Sequence, residues 1–195
     1  YEKSLEFCKK ISAKGALEYD TRILRMQNYL ELGMLEDAVK LEKEFDDRAM
    51  ELYLSANLAS YMEDPEKEKT QLEKLLEKDG FTQRQEVMTR LLEIYLNENK
   101  YDQFNRIAML SLEENKMVRD YSPRLFLLQL MNKQAVGAAE ELYLSMLSAG
   151  YLNSEQAMAY GYIFLQYREN EGDVPAILSM LETMRKNIQN DDLEG

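Results

Sequence analysis

Apolar residues return at helical spacing along almost the whole chain. Leu5, Cys8 and Ile11 lie three apart, and Leu72, Leu75 and Leu76 mark a similar stripe further on. This three-to-four residue period puts the apolar side chains on one face of a helix. The stripes are broken at short intervals by Gly33, by Glu63-Asp64-Pro65, by Asn99 and by Gly150. Such residues end one helix or begin the next. The pattern predicts helix pairs at 17–32 with 35–48, 49–62 with 65–79, 82–98 with 101–114, 120–132 with 136–149, and 154–170 with 174–188. Residues 1–15 read as the second helix of a preceding, truncated pair, closed by Gly15.

The pairs repeat one another. The clearest stretch is Tyr29-Leu30-Glu31-Leu32-Gly33-Met34-Leu35-Glu36-Asp37-Ala38-Val39. Tyr95, Asn99, Tyr101 and Phe104 fall at matching offsets, with Asn99 in the glycine slot, where its tolerance of left-handed backbone angles suits it. Ala56, Met62 and Pro65 form a more degenerate copy. Val136–Met146 and Val174–Met184 repeat one another 38 residues apart, with Met146 and Met184 in register. The positions Ala38, Glu68, Phe104, Ala139 and Ile177 are separated by 30, 36, 35 and 38 residues. A period of this size is the signature of a repeat architecture, in which stacked hairpins share a core that no single hairpin could bury.

On Tyr29, Leu32, Gly33, Leu35 and Ala38 the chain resembles the tetratricopeptide repeat family, and its last two pairs resemble the pentatricopeptide repeat. The resemblance implies an all-α fold, a right-handed α-solenoid of about five helix-turn-helix repeats, forming a single helical-repeat domain over residues 1–195. It also implies that the first helix of each pair lines an inner, concave face. The positions facing inward would be Ile23, Gln27 and Leu30; Tyr53, Asn57 and Ser60; Thr89, Glu93 and Leu96; Arg124, Leu128 and Met131; and Tyr162 and Gln166. Of these, Gln27, Tyr53, Asn57, Glu93, Leu96, Arg124, Leu128, Tyr162 and Gln166 are the partner-binding candidates. The family's carboxylate-gripping variety needs Lys, Arg and Asn at set positions, and only Asn57 and Arg124 resemble it.

Composition supports helix. Gly (8) and Pro (3) are scarce, and strong helix formers abound. The chain is 45% hydrophobic and 31% charged, enough to build a core. Its formal charge of −12 disfavours phosphate backbones and anionic membranes as generic partners. No uninterrupted apolar run is long enough for a transmembrane helix, so no membrane insertion is expected. One cysteine, Cys8, allows no internal disulfide and fits an intracellular, cytoplasmic setting. The chain opens at Tyr1, as a fragment would.

Candidate chemistry is sparse. With no histidine in the chain, Ser-His-Asp and Cys-His catalysis and most zinc sites are excluded within it. No Gly-rich phosphate loop is present. The acidic runs Glu42-Glu44-Asp46-Asp47 and Glu63-Asp64-Glu66-Glu68 lack the Gly-centred calcium loop and read as solvated helix faces. No catalytic residue, metal ligand or cofactor is expected, and the chain is not read as an enzyme. Most of the 13 tyrosines should pack between helices with the hydroxyl kept wet.

Two functions fit this reading. The first is a protein-interaction scaffold holding a peptide or partner helix in the concave groove. The second is a pentatricopeptide-like RNA-binding protein of an organelle; a sensor or accessory domain of a larger regulator is a further alternative. Charge separates the first two. From Gln134 to Gly195, the stretch most like the RNA-binding family, ten acidic residues face three basic ones, a net of −7. That balance disfavours RNA.

Overall fold

The computed structural model describes residues 1–10, 16–43, 48–78 and 80–191. The expectations for Ile11, Gly15, Glu44, Asp46 and Asp47 lie outside the described residues. Among the described residues 84% are helical and no strand occurs. The helices are α1 (Glu2–Lys10), α2 (Ala16–Glu31), α3 (Leu35–Lys43), α4 (Arg48–Tyr61), α5 (Pro65–Leu76), α6 (Arg84–Asn97), α7 (Tyr101–Glu114), α8 (Lys116–Tyr121), α9 (Pro123–Asn132), α10 (Val136–Ser148), α11 (Ser154–Glu171) and α12 (Val174–Asp191).

One hydrogen-bonded turn recurs six times among the described residues, once after α10 at Gly150 and five times within the helix pairs. Helices α2, α4, α6, α9 and α11 each end in a residue with left-handed backbone: Gly33, Glu63, Asn99, Gln134 and Gly172, with φ between 55° and 73°. The amide of that residue donates to the carbonyl three back. The next amide donates to the carbonyl five back from itself, as in Met34 to Tyr29, Asp64 to Ala59, Lys100 to Tyr95, Ala135 to Leu130 and Asp173 to Arg168. This pair of bonds satisfies carbonyls that a helix end otherwise leaves open. The following helix then starts in a fixed register: the amides of Ala38, Glu68, Phe104, Ala139 and Ile177 each donate to the carbonyl four back. These are the five positions whose spacing the sequence displays. Below, the helix before a turn within a pair is helix A and the one after it helix B.

The sequence predicts a single helix over 120–132; instead the chain forms α8 and then restarts as α9. Asn115 caps α8 by accepting from the amides of Met117 and Val118, at 2.9 and 3.4 Å. Pro123 opens α9 at its first position, where the missing N–H costs nothing.

The chain divides into two compact units, Tyr1–Ile94 and Tyr95–Gly195. In the first, α1 packs on α2, α2 on α3 and α4, and α4 most extensively on α5. Met26, Tyr29, Ala38, Met50, Leu54, Leu72 and Leu91 fill its core, and Cys8 is buried there with its thiol free. In the second unit α10 is central, packing on α7, α9, α11 and α12. Its core is built from Phe104, Leu130, Leu142, Tyr143, Met146, Phe164 and Met180. Each such side chain, taken from water, contributes about 1.5–3 kcal/mol before conformational entropy is set against it. Among the described residues no helix is long and apolar enough to cross a membrane.

Candidate functional site

The recurring turn gives every helix A the same ruler. Ten and six residues before the left-handed residue stand Ile23 and Gln27 on α2, Tyr53 and Asn57 on α4, and Thr89 and Glu93 on α6; Arg124 and Leu128 on α9 and Tyr162 and Gln166 on α11 complete the set. These are the positions the sequence marks as inward-facing, and the two units use them differently.

In the first unit Gln27 and Glu93 are exposed, but Tyr53 is only 2% exposed. Its ring lies against Phe81, centroids 5.5 Å apart, and its hydroxyl donates to Glu86 Oε1 at 2.8 Å. Burial, reinforced by the Glu86 carboxylate, pushes the Tyr53 hydroxyl well above the usual tyrosine range. Asn57 Oδ1 accepts from an Arg90 guanidinium nitrogen at 2.6 Å. The same guanidinium donates twice to Glu68 Oε1, at 3.0 and 2.6 Å. Tyr53 and Asn57 are therefore committed within the fold, joining α4 to α6 and, through Arg90, to α5. A partner would meet little of either side chain.

In the second unit the same positions face outward. Arg124, Leu128, Tyr162 and Gln166 are exposed, Tyr162 at 61%. Gln166 donates to the Tyr162 hydroxyl at 3.0 Å, which steadies both side chains on α11. Leu96, in the last turn of α6, is half-buried. Both α9 and α11 pack on α10, and the charge of Arg124 reaches the half-buried Tyr160 of α11. Burial raises the Tyr160 hydroxyl's pKa while Arg124 pulls it down.

Three further exposed apolar side chains flank these: Tyr121 just before α9, Leu125 on α9 and Met158 on α11. Sequence reasoning missed them because it assigned apolar positions to the core. One signal was available. Helix α11 carries Met158, Tyr160, Tyr162, Ile163, Phe164, Leu165 and Tyr167, apolar on more faces than one core can cover.

The polar clusters have structural partners. Asp64 caps α5 by accepting from the Lys67 amide, Glu66 pairs with Lys69 at 2.8 Å, and Glu68 holds Arg90. Arg168 of α11 donates twice to Glu140 of α10, at 2.9 and 2.6 Å, and that bond holds the guanidinium's pKa above its ordinary value. Among the described residues no group of three or more acidic or cysteine side chains is placed to hold a metal ion. What the second unit offers on α9 and α11 is apolar contact area with one guanidinium, Arg124, beside it. No family model, no curated protein and no solved structure matches this chain.

Proposed function

We propose that this chain is a protein-interaction scaffold of the tetratricopeptide kind, a right-handed solenoid of about five repeats. Its partner, an extended peptide or an amphipathic helix, lies along the A-helix side of the second unit. One observation carries the reading: equivalent register positions on α9 and α11 hold the exposed side chains Leu128 and Tyr162, with Leu125 and Met158 beside them. Large apolar side chains held in water on two helices that share one support are what binding anchors look like before they are covered. Asp120 and Glu155, exposed near the start of each stripe, favour a partner with basic flanks.

The test is a titration in two arms. Amphipathic peptides selected on the immobilised chain should bind with little change between low and moderate salt, and Tyr162→Ala should weaken them at least several-fold. Single-stranded RNA should not bind even at low salt. Tight RNA binding with a steep salt slope would contradict the proposal.

A further inference from the structure

Helices α9 and α11 both pack on α10, and each leaves a row of side chains open. On the α9 side Tyr121, Arg124, Leu125 and Leu128 are exposed at helical spacing, on one face. Ser122, between α8 and α9, keeps helical backbone at φ −99° and ψ −14°, so Tyr121 stays in that row. On α11 two rows are open. Met158 and Tyr162 make one; Tyr160, Ile163 and Tyr167 make the other, with Tyr160 half-buried. The charge of Arg124 reaches Tyr160, so this second row is the one turned toward α9. Arg124 and Leu128 on one wall and Tyr160 and Ile163 on the other therefore line a groove, with Met158 and Tyr162 one step further round α11.

Charge in that groove is unbalanced. The neighbouring arginines are engaged: Arg119 donates to the Leu112 and Glu113 carbonyls and lies over the Tyr151 ring, and Arg168 is held by Glu140 and Glu171. The Tyr167 hydroxyl is bonded to Glu171. Among the described residues Arg124 has no ion pair or hydrogen bond, and neither has the Tyr160 hydroxyl. A partner that covers Leu125, Leu128 and Ile163 also takes Arg124 from water, and covering a guanidinium without a counter-charge is strongly unfavourable. The partner must therefore bring an anion. Asp120, exposed one turn before Arg124, and the chain's net charge of −12 favour a singly charged carboxylate over a doubly charged phosphate. The apolar row also continues on both sides of Arg124, to Tyr121 and to Leu128, so a partner that ended at Arg124 would leave half of it bare. We propose that the partner carries one internal aspartate or glutamate, flanked a helical turn away on either side by apolar residues, and that Arg124 and the Tyr160 hydroxyl hold its carboxylate in the groove between α9 and α11. This rests on the peptide-binding reading above and specifies the chemistry of the peptide.

Three helical peptides test this by fluorescence anisotropy on the whole chain. Each carries Leu one turn before and one turn after a central Glu, Gln or Lys, between basic ends. The Glu peptide should bind about fivefold or more tighter than the Gln peptide, and the Lys peptide weakest. Arg124→Gln, at an exposed residue, should remove the preference for Glu over Gln while leaving the Gln peptide's affinity and the far-UV circular dichroism unchanged. Arg124→Glu should reverse the order in favour of Lys, and Tyr160→Phe should narrow the preference for Glu. A Glu peptide cut short, so that the central carboxylate is its own C-terminus, should bind more weakly than the full peptide. Equal affinity of the unaltered chain for the Glu and Gln peptides overturns the proposal. So does a loss in Arg124→Gln shared equally by both, or a cut peptide that binds as tightly as the full one. If the two peptides bind equally and Tyr162→Ala weakens both, the peptide-binding reading stands and the carboxylate site alone falls. If none of the three binds, both fall.

Discussion

Gly161 of α11 sits directly beneath the hydroxyl of Tyr143 of α10, so that a Cβ on Gly161 would lie 2.5 Å from that oxygen. The tyrosine cannot swing away freely, because its hydroxyl is bonded to the Ala157 carbonyl one turn earlier on the same helix and is fully buried. Met184, which the added carbon would also meet, can yield because its end is flexible. Gly161→Ala should therefore destabilise the chain by roughly 1–3 kcal/mol, outweighing the gain of about 1 kcal/mol in helix propensity. In the background of Tyr143→Phe, which removes the colliding oxygen, the same substitution should cost clearly less. A double-mutant cycle by urea denaturation measures the coupling; strict additivity would mean that the two residues are not in contact.

The same tyrosine makes stability depend on pH. Burial pushes the Tyr143 hydroxyl up to about 12, and Tyr53 is raised in the same direction by burial and Glu86. An unfolded tyrosine releases its proton near its ordinary value of about 10. Above that pH the unfolded chain loses protons that the folded chain keeps. The stabilisation is full below about pH 10 and is lost as pH climbs through the folded value. Urea midpoints measured from neutral to strongly alkaline pH should fall in that window, and Tyr143→Phe should make the fall shallower. An unchanged slope in the variant would contradict the assignment.

Ala38 is wholly buried at the start of α3, where its amide continues the turn that follows Gly33. Ala38→Leu should overpack this contact at a cost of roughly 1–3 kcal/mol, read as a lower denaturant midpoint.

The left-handed turn residues make a prediction of opposite sign. Gln134 adopts φ 60° with an ordinary side chain. Left-handed backbone costs such a residue about 1–2 kcal/mol, against about 0.5–1 kcal/mol of extra chain entropy that a glycine loses on folding. Gln134→Gly should raise stability by up to about 1 kcal/mol, and Gly33→Ala should lower it by a similar amount. Thermal unfolding of both variants checks the pair of signs.

The helices and their turns were legible in the sequence because they rest on local rules. Gly33, Asn99 and Gly150 take the left-handed conformation their residue types favour, and the places of Ala38 and Phe104 follow from the first two. Glu63 and Gln134 hold the same conformation without any such preference, and only the repeat period points to them. Ser122-Pro123 divided one expected helix into α8 and α9, a break that Pro123 signals locally. The role of Tyr53 was not legible. Its burial depends on Phe81, from the segment between α5 and α6, and on Glu86 of α6, contacts far apart along the chain. The register places Tyr53 and Tyr162 alike; tertiary packing buries the first and leaves the second exposed.

The central claim is that binding runs through the A-helix face of the second unit, and alanine substitution of that face tests it most directly. With a peptide selected on the chain, Leu128→Ala and Tyr162→Ala should each cost more than about 1 kcal/mol of binding free energy. Glu141→Ala and Ser145→Ala, exposed on the helix-B surface of α10, should leave affinity unchanged. Loss of binding from the α10 pair, with Leu128→Ala and Tyr162→Ala silent, would contradict the account.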